Sequence, residues 1–162
     1  MTRPRIEELV RLMDRAFGGN EHSLLDNIRS VRDESWEALP RGAKRSAREI
    51  TRHVGPFKYI YANHALDGAD MDCSDPAPER HATPAAATQW FGDAHAYLLG
   101  FVRDLSDDAG LDVPRWGQLV PTYDLIVTML EHDLYHAGEI NRTRALLQDD
   151  EAWWKPDSEG GP

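Results

Sequence analysis

The segment 122–141, TYDLIVTMLEHDLYHAGEIN, decides the reading of this chain. Leu125, Met129, His132, His136 and Ile140 recur at steps of three or four, the period of one face of an α-helix. At about 100° per residue, His132 and His136 differ by about 40° around the axis and about 6 Å along it. Two imidazoles so placed can reach one metal ion. Both occupy stripe positions where a helical bundle would place leucine. Burying two adjacent polar rings costs several kcal/mol unless something coordinates them. Stripe and spacing together predict a divalent metal site.

Two metal-enzyme patterns do not fit. A zincin protease needs glutamate directly after the first histidine, where this chain has Asp133. A di-iron bundle needs Glu-x-x-His on two helices, and the sequence contains none.

A third ligand must come from another helix, from His22, His53, His64 or His95. His53 is read on an inward stripe between Ile50 and Phe57. His64 shares that face about 16 Å further along, so the two cannot share one ion. Spacing alone does not choose between them. His22, near a helix start, is expected to be exposed, His95 to sit at the core boundary, and His81 to be a loop residue without a role. Glu139 lies on the face of His136, about 4.5 Å along the axis. It is a candidate fourth ligand, an outer acceptor that orients an imidazole N–H, or a general base.

Working outward, the periodicity is helical almost throughout. Ile6, Leu9, Met13 and Phe17 form one run, ended by Gly18-Gly19, and Asn20 is the expected cap of a second run through Leu24, Leu25, Ile28 and Val31. Ser46 with Glu49 forms a capping-box pattern for a helix carrying Ile50 to Ala65. Pro56 inside it predicts a kink or a later start. Segment 67–84 is a long loop, and Thr83-Pro84 opens a helix through Trp90, Phe91, Ala94, Leu98 and Leu105. Another loop spans 107–121 with Trp116-Gly117, and Thr122 is the expected cap of the last helix. The tail is expected to fray beyond Trp154. No strand is expected. The pattern predicts an all-α fold, a single-domain antiparallel four-helix bundle with long loops between helices.

Composition narrows the function classes. The 162 residues are 41% hydrophobic and 28% charged, with a net charge of −10 and no basic cluster, which disfavours nucleic acid as a partner. Cys73 is the lone cysteine, so neither an internal disulfide nor a cysteine-based zinc site forms. No run approaches the roughly 18 apolar residues of a membrane span, and the N-terminus lacks a continuous apolar core for a signal peptide, so a cytoplasmic protein is expected.

Arg45-Ser46 leading into Ile50-x-x-His53-Val54, the Trp116-Gly117 pair, and Glu131-His132-Asp133-Leu134-Tyr135-His136-Ala137-Gly138-Glu139-Ile140-Asn141 together resemble the DinB-like superfamily of metalloenzymes. The resemblance extends from about residue 15 to Trp153, and the last motif is its most specific part. It implies a DinB/YfiT-like four-helix bundle with a divalent metal held by three histidines, matched here by His53, His132 and His136. That selects His53 over His64. It also implies a small-molecule substrate such as a low-molecular-weight thiol (bacillithiol or mycothiol) and a homodimer. The expected cofactor, a divalent transition metal such as zinc, nickel or iron, follows from the imidazole ligands, which suit these ions and copper alike. The implied reactions are thiol-dependent S-transfer or isomerisation, and an open site of this kind also permits hydrolysis. A non-catalytic metal or ligand binder, closed by Glu139, is the alternative, and a metal-free structural role for the histidines is the third reading. Tyr61, Asn63, Trp116 and Tyr135 are candidate pocket residues.

Overall fold

Pro4 opens the first helix at a position where its missing N–H costs nothing, and α1 (Pro4–Phe17) buries Ile6, Leu9, Met13 and Phe17 along one face. Gly19, at φ 86°, turns the chain in the left-handed region that glycine tolerates. The short α2 (Leu24–Arg29) follows Ser23, not Asn20, at its N-cap. Asn20 instead accepts from the His22 N–H and donates to the Arg15 carbonyl, closing the turn before it.

The long helices start where their caps stand. For α3 (Ala47–Leu66), the Ser46 side chain accepts from the Glu49 N–H and Glu49 accepts from the Ser46 N–H. The later start does not occur, and the helix runs unbroken through Pro56. For α4 (Pro84–Asp104), Thr83 accepts from the Ala86 N–H. The last helix, α5 (Thr122–Gln148), corrects an expectation: Pro121 is its N-cap, and the Thr122 hydroxyl donates to the Val113 carbonyl. Between α4 and α5 lie a 3-10 turn (Asp108–Asp112) and two short antiparallel strands, β1 (Pro114–Arg115) and β2 (Val120–Pro121), absent from the sequence reading.

This computed structural model describes residues 3–72, 76–115, 119–150 and 153–154. Cys73, Trp116, Gly117 and the tail beyond Trp154 lie outside the described residues. The all-α class is as expected. Packing closes a ring: α3 contacts α4 and α5, while α1 and α2 contact the same two helices from the other side.

Side-chain pairs fix the helix directions. Arg45 pairs with Glu139 and Lys58 with Asp133, so α3 and α5 run antiparallel. Arg3 donates to the Arg103 and Leu105 carbonyls while Phe17 stacks on His95, so α1 and α4 do too. Gly55 faces Trp90 and Tyr59 faces Tyr97, so α3 and α4 run side by side in the same direction. That parallel pairing explains the long 67–83 connection. It must return the chain along the length of α3, about 30 Å, and needs no tight turn.

The core has two halves. Phe17, α2, Trp36 and the first turns of α3 and α4 pack on Ala137 and Ile140. The remainder of α1 packs with Ala62, Leu98, Leu99, Val102, Ile126 and Met129. At their junction Gly55 lets α3 approach α4, with the edge of the Trp90 indole lying where a Cβ would stand. No helix among the described residues is long and apolar enough to cross a membrane.

Candidate metal centre

The antiparallel contact of α3 and α5 brings His53 to His132 and His136. One ring nitrogen from each lies within 4.8 Å of the others. Ring centroids are 5.7 Å apart for His53 and His132, 5.2 Å for His53 and His136, and 4.5 Å for the α5 pair. Phe57, one turn after His53, packs on both His53 and His132 and forms an apolar wall.

The site is shallower than the stripe predicted. His136 is buried, His132 half-buried and His53 exposed. The expected inward position of His53 is therefore corrected: Ile50, Val54 and Lys58 occupy the inward face of α3, and His53 stands at the groove edge between the helices. On α5 the buried line runs Met129, Asp133, His136, Ala137 and Ile140, passing beside His132. Hence Asp133, considered in the sequence only as a substitute for a zincin glutamate, is a core residue. Lys58 donates to its carboxylate, and both side chains are almost fully buried.

Glu139 is held from two sides. The His136 Nδ1–H donates to Oε2 at 2.8 Å, and Arg45 Nη2 donates to Oε1 at 2.6 Å. An ionised carboxylate only accepts, so the proton sits on His136 Nδ1 and its Nε2 lone pair is left for another partner. His132 Nδ1 is buried and has no hydrogen-bond partner among the described residues.

All three imidazoles are biased toward the neutral form that binds metals. Burial lowers His132 to about 4, aided by the neighbouring His136, His53 and Lys58. Partial burial, then the Arg45 charge, lowers His53. Burial also lowers His136, against the opposing pull of Glu139. An orphaned buried nitrogen and three converging neutral imidazoles fit a divalent transition ion, and imidazole sets suit zinc, nickel and iron alike.

A pH dependence follows. As pH falls below about 6.5 an unfolded histidine takes up its proton, while folded His132 resists until about 4. The unfolded chain then binds more protons, so stability falls with falling pH across this window. Urea midpoints of the metal-free protein are expected to drop between pH 6.5 and 5, and to drop less in His132→Asn. An equal drop in both would remove His132 as the cause.

The remaining histidines lie elsewhere. His64 Nε2 donates to the Met71 carbonyl, and His22 is exposed as expected. His95, expected at the boundary, is buried, stacked on Phe17 at 3.9 Å and hydrogen-bonded to Asp14. His81, read as a loop bystander, is buried, accepts the Trp36 indole N–H at its carbonyl and receives Arg48 at Nδ1. Of the candidate pocket residues, Tyr61 packs near Phe57, Asn63 binds Asp70 and Met71 of the following loop, and Tyr135 is exposed beside His136.

The sequence reading missed Lys58, although its signal was present. Ile50, Val54, Lys58 and Ala62 step by four, as do Met129 and Asp133, so opposite charges stand in two facing core stripes. Arg45 as the partner of Glu139 left no such signal.

A helical bundle with three histidines converging between two antiparallel helices is a candidate metalloprotein fold. The chain belongs to the DinB superfamily, whose family model matches residues 16–140, a span that includes all three histidines and Glu139. Neither a search of curated proteins nor one of solved structures returned a match.

Proposed function

We propose that this protein is a metal-dependent enzyme in which His53, His132 and His136 hold one divalent transition ion, zinc, nickel or iron. The convergence of three ring nitrogens within 4.8 Å, one of them on an exposed residue, carries this reading. The exposed side supports an open coordination position, as catalytic sites require. Both Glu139 oxygens are engaged by protein donors, which favours an orienting role for it over that of a fourth ligand.

When bound, the ion supplies Lewis-acid activation of a small nucleophile, a low-molecular-weight thiol or water. Glu139 keeps the proton on His136 Nδ1 and fixes the ring. Arg45 holds the Glu139 carboxylate in place. Phe57 shields one side of the cluster from water. The substrate is a small molecule entering from the His53 side.

Metal analysis of untagged, chelator-treated protein exposed to zinc or nickel tests the site. The expected result is about one equivalent in the parent and in His64→Ala, and below about a tenth in His53→Ala, His132→Ala and His136→Ala. At a thousandfold excess over Kd, binding adds about 4 kcal/mol of stability, visible as a raised Tm in the parent alone. Absence of uptake by the parent rejects the proposal. Loaded protein is then assayed for thiol transfer to electrophiles and for ester hydrolysis. Stoichiometric uptake with no turnover in either assay would assign the chain to the non-catalytic binders.

A further inference from the structure

A crevice of about 190 Å³ lies between α5, α2 and the turn that precedes α2. It is on the far side of α5 from the metal centre: at about 100° per residue, its lining residues Leu134 and Asn141 stand roughly opposite His132. Two side-chain amides line it, Asn27 from α2 and Asn141 from α5, and hydrogen bonds fix which way round each one lies. Asn27 Nδ2 donates to the Glu21 and Ser23 carbonyls at 2.9 and 2.8 Å. Both partners are acceptors, so the nitrogen must be the end that meets them and Oδ1 the end that does not. That oxygen belongs to a residue only 1% exposed, and it has no hydrogen-bond partner among the described residues. An orphaned buried acceptor of this kind calls for a donor.

Asn141 is fixed in the opposite sense. Its Oδ1 accepts from Arg144 Nε and Nη2 and from Trp153 Nε1, at 3.2, 2.9 and 3.1 Å. Its Nδ2 therefore turns away from those donors, with both of its N–H groups unused among the described residues. One crevice thus holds a spare acceptor from α2 and a spare donor from α5. A primary amide carries the complementary pair, an N–H for Asn27 Oδ1 and a C=O for Asn141 Nδ2. A carboxylate would set oxygen against the Asn27 oxygen, and a ketone has no hydrogen to give it.

Gly138 adds an independent mark. It lies inside α5, where alanine is the better helix former. Its conformation is not left-handed, and a Cβ added there would meet nothing within 4 Å. Neither backbone nor packing asks for glycine, yet the residue lines this crevice beside Ala137 and Leu134. A side chain at this position would take up part of the small space.

We infer that this crevice binds the carboxamide group of a small organic molecule. Asn27 Oδ1 accepts its N–H, Asn141 Nδ2 donates to its carbonyl, and its alkyl end rests on Leu134 and Ala137 over Gly138. The site is separate from the three histidines and does not depend on the metal-enzyme reading.

The full chain, ¹⁵N-labelled, is titrated with isobutyramide, with isobutyrate, and with methyl isopropyl ketone, which has a methyl group where the amide has nitrogen. Isobutyramide is expected to shift the resonances of residues 21–27 and 134–141, including the side-chain amides of Asn27 and Asn141. It should bind at least about tenfold more tightly than either analogue. Gly138→Ala is expected to raise Tm by about 2–4 °C through helix propensity while weakening isobutyramide about tenfold or more, two effects of opposite sign that general damage to the fold would not produce. Asn141→Asp keeps the acceptor for Arg144 and Trp153 but removes the donor, and should also cost about tenfold. His53→Ala should leave binding intact. No saturable shift, equal binding of the ketone, or undiminished binding in Gly138→Ala would each overturn the inference. Binding that needs zinc or is lost in His53→Ala would place the amide at the metal centre and overturn it as well.

Discussion

Asp133→Ala is expected to destabilise the protein by about 3–5 kcal/mol, because it leaves the Lys58 ammonium buried without its counter-charge. The side chains of Lys58 and Asp133 are only 1% and 4% exposed. Among the described residues no second carboxylate pairs with Lys58, which otherwise faces the Phe17 ring at 4.9 Å, a contact worth about 2 kcal/mol when desolvated. Lys58→Ala is the mirror case: burial already pushes the Asp133 carboxyl up against the opposing Lys58 charge, and removing the lysine takes that opposition away. Against a typical total of about 5–15 kcal/mol, either change removes a large share of the stability.

Removing both charges is a different matter. A buried pair replaced by apolar residues of similar volume is often neutral or stabilising, so Lys58→Met/Asp133→Leu should recover most of the loss. Urea denaturation of the two single variants and the double variant measures this directly. Singles costing less than about 1 kcal/mol, with no recovery in the double, would show that the pair is not an isolated buried salt bridge. The pair also ties α3 to α5 at the level where their histidines meet. A single variant that remains folded should therefore bind metal more weakly, whereas the apolar double should bind it nearly as well as the parent.

Gly55→Ala is the second large effect, and here two terms compete. Helix propensity favours alanine over glycine by about 1 kcal/mol in a helix interior, and Gly55 lies well inside α3. Against that, a Cβ at Gly55 would stand 2.1 Å from the nearest Trp90 ring carbon, where non-bonded carbons need about 3.5–4.0 Å. Trp90 cannot easily yield. It is 5% exposed and packed edge-on against the fully buried Phe91.

Overpacking of this kind costs about 1–3 kcal/mol and sometimes more, so the net sign is destabilising. Trp90→Leu creates the missing space, and the pair Gly55→Ala/Trp90→Leu should be less destabilised than the sum of the single changes. A thermal melt in which Gly55→Ala proves more stable than the parent would mean that propensity alone governs the position. The α3–α4 contact would then be looser than described.

Much of the fold was readable because its signals are local. The Ser46/Glu49 capping box, Thr83 before Pro84, and the 3.6-residue apolar period each depend on neighbours within one or two turns. The caps misread were those where a side chain found a partner outside its own helix. Thr122 bonds to Val113 across the β1–β2 hairpin, and Asn20 closes the turn before α2. The burial of His81 and His95 was likewise invisible, because Trp36, Arg48, Asp14 and Phe17 reach them from distant parts of the chain.

Helix direction belongs to the same class. An apolar stripe is the same for a helix running up or down, and direction shows only in two contacts along one pair, Gly55–Trp90 with Tyr59–Tyr97 for α3 and α4, and Arg45–Glu139 with Lys58–Asp133 for α3 and α5. The length of the 67–83 segment was the one hint that α3 and α4 share a direction.

By itself the sequence determined that this is an all-α chain and that His132 and His136 share one helix face, since helical geometry carries both over a single turn. Its motifs also tied the chain to the DinB superfamily and nominated His53. Only the tertiary structure decided how these residues meet. Placing His53 opposite the pair, at the groove edge and outside the core stripe, depends on the register between α3 and α5. That register is held by the buried Lys58–Asp133 pair and the Arg45–Glu139 contact, across distances in sequence that no periodicity can span.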